Sequence, residues 1–269
     1  MIRYEHLLKP GEDKGEAIER LYEIVSILRV ECPWDKVQTH DSLRKCMIEE
    51  AYEAVDAINK GDFANLREEL GDVLLQVVFH SNLADEEKQF DFVSVINDEC
   101  EKMIRRHPHV FGEADINTVD GVLEKWEKIK EKEHNETCHT QRLESVPDAL
   151  PALIRSAKVQ KRAAECGFDW DNIDDPINKV EEELAEFVDA YKNESAKRAE
   201  EEFGDLLFAA VNVSRFAKID AEDALVKATD KFIGRFKAME TLAEERGLDM
   251  DAMNLEELDN LWNEVKKRR

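Results

Sequence analysis

A chain of 269 residues can bury a core without disulfide or metal staples, and its length fits two modest domains or one large one. Its 38 basic and 62 acidic side chains leave a formal charge of −24. That excludes a general nucleic-acid backbone binder and a polybasic membrane binder, since both need a positive face.

With 42% apolar residues but only 10 Gly and 6 Pro, the composition argues against disorder and for long helices over short strands. No run approaches the roughly 18 apolar residues of a membrane span. The opening MIRYEHLLKPGEDKGEA has no apolar stretch of the signal-peptide kind. Five scattered cysteines, Cys32, Cys46, Cys100, Cys138 and Cys166, form no CxxC pair and read as reduced cytoplasmic thiols.

In chain order, a helix is predicted over 14–30, followed by CPWDKVQTH at 32–40, where Trp34 and Asp35 sit in a fixed loop. The next helix, 43–59, carries Leu43, Met47, Ala51, Ala54, Val55 and Ile58 at steps of three and four, the pattern of one buried stripe. After the Gly61-Asp62 turn, 63–84 repeats the pattern with Leu66, Leu70, Val73, Leu74, Val77 and Val78 inward, so the two helices pack antiparallel. Helices are predicted at 91–106 and 118–133, and His107-Pro-His109 between them reads as a loop. A polar stretch then loses the periodicity. Further helices fall at 151–165, 176–192, 195–217, 221–245 and 255–267. No run shows period-two alternation, so the fold class is all-α.

The second half repeats the first. EEAYE at 49–53 returns as EELAE at 182–186, and EELGDVLL at 68–75 returns as EEFGDLLF at 201–208, both at an offset of 133. Trp34-Asp35 pairs with Trp170-Asp171, KMIRR at 102–106 with KFIGR at 231–235, and Trp126/Lys130 with Trp262/Lys266. Landmarks that keep their order indicate tandem copies. We expect a first domain at 1–133, a linker at 134–148 and a second domain at 149–269.

The repeated element is acidic. Glu50 and Glu53 lie three apart and share a helix face, as do Glu69 and Asp72 on the next helix. In the second copy Glu183, Glu186, Glu202 and Asp205 do the same. Four converging carboxylates need a cation, and hard oxygen donors select Mg²⁺, with Mn²⁺ as a substitute. A single EExxE is more often a solvated helix face, but EExGD lies inside an apolar helix and occurs twice. The mid-helix Gly71 and Gly204 point to close backbone approach or ligand access. Di-iron chemistry needs Glu-x-x-His pairs, and the only such spacings, Glu131/His134 and Glu136/His139, fall in or next to the polar linker. Mg²⁺-assisted phosphate chemistry remains. Lys102/Arg106 and Lys231/Arg235, each four apart, offer cations for it. Trp262 and Lys266 either set a ring and an ammonium against a nucleotide or cap the core. The rival class is an acidic regulatory or interaction protein whose carboxylates form a binding face.

Together, CPWD with QTH, EExxE, EELGD, KxxRRHPHVF and the second EExxE…EEFGD copy resemble the MazG family of nucleoside triphosphate pyrophosphohydrolases over about 14–267. The resemblance implies an all-α fold, a homodimer, Mg²⁺ dependence, hydrolysis of NTPs such as ATP to NMP and pyrophosphate, and a C-terminal copy that does most of the catalysis. It implies Glu183, Glu186, Glu202 and Asp205 as metal ligands. Nucleotide contacts would come from Lys179, Val180, Glu181, Arg198, Glu201, Lys231, Arg235, Trp262 and Lys266. Water is expected to attack between the α and β phosphates, with Glu182 or Glu201 taking its proton and Lys231, Arg235 and Lys266 offsetting the leaving-group charge. One departure stands out: Gly234 replaces the arginine of the family pattern, Arg105 in the first copy.

Overall fold

The structure, a computed structural model, describes residues 3–113, 117–133 and 138–267. Among these there is no strand. The chain divides into two compact units, Met1–Glu133 and His134–Arg269. The first contains α1 (Lys14–Glu31), α2 (His40–Lys60), α3 (Phe63–Glu86), α4 (Phe92–Arg106), α5 (Pro108–Phe111) and α6 (Val119–Glu133). The second contains α7 (His139–Glu144), α8 (Ala152–Glu165), α9 (Asp174–Asn193), α10 (Ala196–Phe216), α11 (Ala221–Glu245) and α12 (Leu255–Lys267). All ten predicted helices are present. Two short ones are additional: α5, started by Pro108 at its first position, and α7, which packs on α8 inside the stretch read as linker.

Side-chain caps explain where most of the long helices begin. The Asp13 carboxylate accepts from the Glu16 N–H, Thr39 and Ser42 form a reciprocal capping box, and Asp62 accepts from the Ala64 and Asn65 N–H groups. Ser195 and Asp220 do the same for α10 and α11. Gly61, at φ +66°, ends α2 in the left-handed conformation, so α3 starts after only two residues.

Each unit is built on one long hairpin, α2 on α3 and α9 on α10. In the first unit Val25, Leu43, Val78, Phe79 and Leu83 form the core, with Tyr22, Cys46 and Phe92 against it. In the second, Met239, Leu242 and Ala243 of α11 close on Leu261 and Val265 of α12. The hairpins themselves are only half covered. Leu43 and Ala54 are buried as the stripe requires, but Met47, Val55, Ile58, Leu70 and Leu74 are 37–58% exposed. The second hairpin likewise exposes Leu184, Val188, Tyr191, Phe203 and Leu207. The periodicity finds an apolar stripe correctly, but nothing within one unit packs over all of it.

Arg29 ties the first unit together. Its side chain is 7% exposed and donates to both Glu86 oxygens (2.9 and 2.6 Å) and to the Asp35 and Gln38 carbonyls (2.5 and 3.1 Å). Arg29→Met leaves those carbonyls unmet and is expected to cost about 2 kcal/mol in a denaturant melt. The bonds from Arg29 hold the Glu86 carboxyl below its ordinary 4.5. A depressed carboxyl stabilises above that value, so the gap between wild type and variant should narrow as pH falls through the lower folded value.

Candidate active site

In the second unit the acids of the α9–α10 hairpin converge. Oxygens of Glu183, Glu186 and Glu202 all lie within 4.8 Å of one another. Glu183 is 6% exposed and Glu202 3%, unusual for carboxylates without a ligand. Burial and then the charges of Glu183 and Glu202 push the Glu186 carboxyl up.

Two cations sit against the cluster. Lys179 Nζ contacts Glu182 at 2.8 Å and Glu183 at 2.6 Å, and those hydrogen bonds hold its ammonium well above the usual lysine range. Arg198 pairs with Glu202, with Glu201 at 3.1 Å and with Glu194 at 3.9 Å, and its guanidinium is held up chiefly by Glu201. The spacings Lys179/Glu183 and Arg198/Glu202 are both i, i+4, so one helical turn places each cation on its acid. Even so, Glu183 Oε2 is buried with no hydrogen-bond partner.

The other expected residues lie around this centre or apart from it. Glu182 and Glu201 are exposed at its rim, paired as described. Val180 is half-buried and Glu181 exposed. Asp205 is exposed on α10 and joins no such group. Lys231, Arg235, Trp262 and Lys266 belong to α11 and α12. Among the described residues no hydrogen bond or ion pair links them to the acids. Arg235 Nε is buried and unpartnered, whereas Trp262 lies 5.0 Å from the Phe232 ring, half-buried in the α11–α12 core. That favours Trp262 as a core cap. A Cβ at Gly71, Gly204 or Gly234 would meet nothing within 4 Å, so close backbone approach is not why glycine stands there. The space beside Gly71 and Gly204 is open.

Among its described residues the first unit keeps an acid cluster without the paired cations. Glu50, Glu69 and Asp72 come within 4.8 Å of one another, and Glu53 joins no such group. Burial first, then neighbouring acids, push Glu50 and Glu69 up. At the 133-residue offset, Cys46 stands where the second unit has Lys179 and Asn65 where it has Arg198. Arg106, the counterpart of Arg235, is spent on Glu133 at 2.6 Å, with Arg105 at 2.6 Å beside it. His107 caps α5 and packs edge-on to Trp126 at 4.8 Å, while Pro108 and His109 lie in α5 rather than in the predicted loop. The side chains of Lys130 and Glu131, and residues His134 and Glu136, lie outside the described residues.

Sequence reasoning missed a second feature of the α8–α10 side, a cavity behind the Trp170 turn containing Gln160. Its signal was a glutamine among small and apolar residues (Ala157, Val159, Ala163) on a helix whose face is otherwise core-like.

The donor set fits a hard divalent cation: oxygen only, three carboxylates within reach, and one buried oxygen lacking a partner. Residues 38–111 and 175–240 match the family model described as MazG nucleotide pyrophosphohydrolase domain, one segment in each unit. The chain is 42% identical over 256 residues to the nucleoside triphosphate pyrophosphohydrolase of Escherichia coli (strain K12), covering 93% of this chain and 97% of that protein. It is 42% identical over 257 residues to the nucleoside triphosphate pyrophosphohydrolase/pyrophosphatase MazG of Thermotoga maritima, covering 95% and 98%. It is also 48% identical over 237 residues to the uncharacterized protein YabN of Bacillus subtilis (strain 168), covering 88% of this chain and 48% of that one.

Proposed function

The chain belongs to the MazG nucleotide pyrophosphohydrolase family, and we propose that it hydrolyses nucleoside triphosphates to monophosphate and pyrophosphate at the second-unit acid cluster, using Mg²⁺ or, in its place, Mn²⁺. The observation that carries this is the pairing of three clustered carboxylates with Lys179 and Arg198, a combination not found among the described residues of the first unit. Glu183, Glu186 and Glu202 would hold the cation, with Asp205 one turn further along α10. When bound, the ion polarises the phosphate oxygens and acidifies the attacking water.

The chain's own groups do the rest. Glu182 or Glu201, exposed at the rim, accepts the proton of the attacking water once the triphosphate takes over Lys179 and Arg198 as partners. Those two cations, with Arg235, Lys231 and Lys266 from α11 and α12, bind the phosphates and offset charge on the leaving pyrophosphate. Val180 and Glu181 flank the segment that the nucleotide meets. Gly234 supplies no cation, so α11 meets the phosphates with Lys231 and Arg235.

The test is NMP and pyrophosphate release from a panel of NTPs by the full chain, in Mg²⁺ and in EDTA. Metal-dependent release of both products is expected. No release, with no Mg²⁺-linked rise in Tm, would favour the acidic interaction surface instead.

The uncovered apolar stripes support a homodimer in which a second copy packs on the hairpins. Leu207→Glu places a charge on that stripe and should shift sedimentation from the mass of two chains toward one. An unchanged mass would place the dimer contact elsewhere. Among the described residues no helix is long and apolar enough to cross a membrane. We place the reaction in the cytoplasm, where five free thiols stay reduced, with neither nucleic acid nor membrane as a partner.

A further inference from the structure

Two histidines are bonded to each other in the first unit. His40 is the first residue of α2, next to the Thr39 cap, and His80 belongs to α3; their Nδ1 atoms are 2.7 Å apart. The ring planes lie 15° apart. An imidazole carries its N–H and its lone pair in the ring plane, so one Nδ1 donates and the other accepts. This bond ties the start of α2 to α3.

Beside it are two atoms with nothing to bond. His80 Nε2 and Gln76 Oε1 are both buried and unpartnered, and Gln76 is 7% exposed. The two residues are four apart on α3 and so share a face, one turn from each other. Buried polar atoms without partners are rare in folded proteins. In the second unit Ala209 and Val213 stand at these places, so the polar track belongs to the first unit.

Protons decide which bonds the track can make. With one added proton the pair keeps its bond, because a charged ring still donates from Nδ1 to its neutral partner. A second proton sets N–H against N–H at the same contact, so the rings must part. The charged His80 then presents Nε2–H to the Gln76 oxygen one turn away, an acceptor suited to a cation.

Burial first, and then the charge of His40, hold the His80 ring below the ordinary 6.5. Helices α1, α2 and α4 pack on α3. On α2, Asp41 and Arg44 are exposed and pair with each other at 3.6 Å, and Cys46 packs on the core. Arg29 of α1, over the adjacent Phe79 ring at 5.6 Å, is committed to Glu86. Asp91, at the start of α4, is held by Ser94. Asp72, on α3 itself, lies two turns before His80. His40 is the neighbour whose charge bears on His80.

We propose that the first unit carries a two-position acid switch: with the pair intact His80 holds the first turn of α2 on α3, and with both rings charged His80 turns to Gln76 and releases that turn. The switch stands apart from the chemistry of the second unit. A ring whose folded value is lowered binds fewer protons folded than unfolded, so stability is lost as pH falls below 6.5.

The test is hydrogen exchange of the full chain at pH 7.5 and pH 5, corrected for intrinsic exchange and read by mass spectrometry in peptides covering 40–47. Wild type should lose about tenfold in protection there at pH 5, the scale of one hydrogen bond, while peptides of α10 stay level. His80→Phe keeps an aromatic ring with no proton to gain, and its protection should not respond to pH. His40→Phe should be equally flat, which leaves a reading if one of the two fails to fold by circular dichroism. Gln76→Leu removes the acceptor of the charged state, so it should match wild type at pH 7.5 and shift the drop to lower pH. Equal wild-type protection at the two pH values, or a drop of wild-type size in either phenylalanine variant, would overturn the switch. An unshifted drop in Gln76→Leu would overturn its second position.

Discussion

Glu202→Gln is expected to lower pyrophosphate release by about 10³-fold or more while leaving the helical content and oligomeric state unchanged. Glu202 is the most buried acid of the cluster, at 3% exposure. The substitution keeps its shape and, with near-equal helix propensity, its backbone conformation. What is lost is a charged oxygen donor. A bound divalent ion contributes several kcal/mol of charge stabilisation in the transition state, and each 1.36 kcal/mol is tenfold in rate. Arg198 keeps Glu201 at 3.1 Å, so no buried cation is stranded. The matching change in the first unit, Glu69→Gln, should leave turnover within about twofold, because among the described residues no lysine or arginine is paired with Glu50, Glu69 or Asp72 to meet a phosphate. Circular dichroism, the Mg²⁺-linked rise in Tm and product release on both variants read these points separately. Turnover within tenfold of wild type for Glu202→Gln would remove the second-unit acids from the reaction.

How much of this could be read from residues alone divides along physical lines. Helix positions were legible, because capping residues such as Asp13, Thr39, Asp62 and Ser195 and the 3.6-residue period act within a few residues of the chain. The burial of individual stripe residues was not. Met47, Val55 and Leu70 have the same spacing as buried Leu43 and Ala54, and spacing does not say which surface covers which turn. The acids were legible because they repeat and interrupt an apolar helix. The cationic partners were equally visible as letters, but only the packed hairpin shows Lys179 and Arg198 each committed to a buried glutamate. Trp262 could be a ring for a ligand or a cap on the core, and its 5.0 Å contact with Phe232 favours the second. Gln160 carried almost no signal, since its burial and its hydrogen bond to the Phe208 carbonyl depend on another helix.

Replacing both cluster cations, Lys179→Met with Arg198→Met, should cut kcat/KM by about 10²-fold and destabilise the metal-free protein most at neutral pH. The rate effect follows from removing two charge-assisted contacts to a phosphate chain, each commonly about tenfold. The stability effect follows from the acids left behind. Glu183, Glu186 and Glu202 then face one another within 4.8 Å with no cation between them, so the Glu186 carboxyl, already held up, is pushed further above the ordinary range. A group whose folded value is raised binds more protons folded than unfolded, so stability falls as pH climbs through that value. The deficit of the variant in EDTA should therefore be largest at pH 7 and shrink toward pH 4.5, the ordinary glutamate value. Mg²⁺ should restore part of the lost Tm at pH 7 by supplying the missing charge. A pH-independent deficit would mean that Lys179 and Arg198 act through packing alone. The first unit is the natural comparison: with Cys46 and Asn65 in their places, its Glu50 and Glu69 are already pushed up by burial and by one another's neighbours. Asn65→Arg, four residues before Glu69 and clear of the core that Cys46 packs against, should stabilise that unit toward neutral pH, the mirror image of the loss in the second.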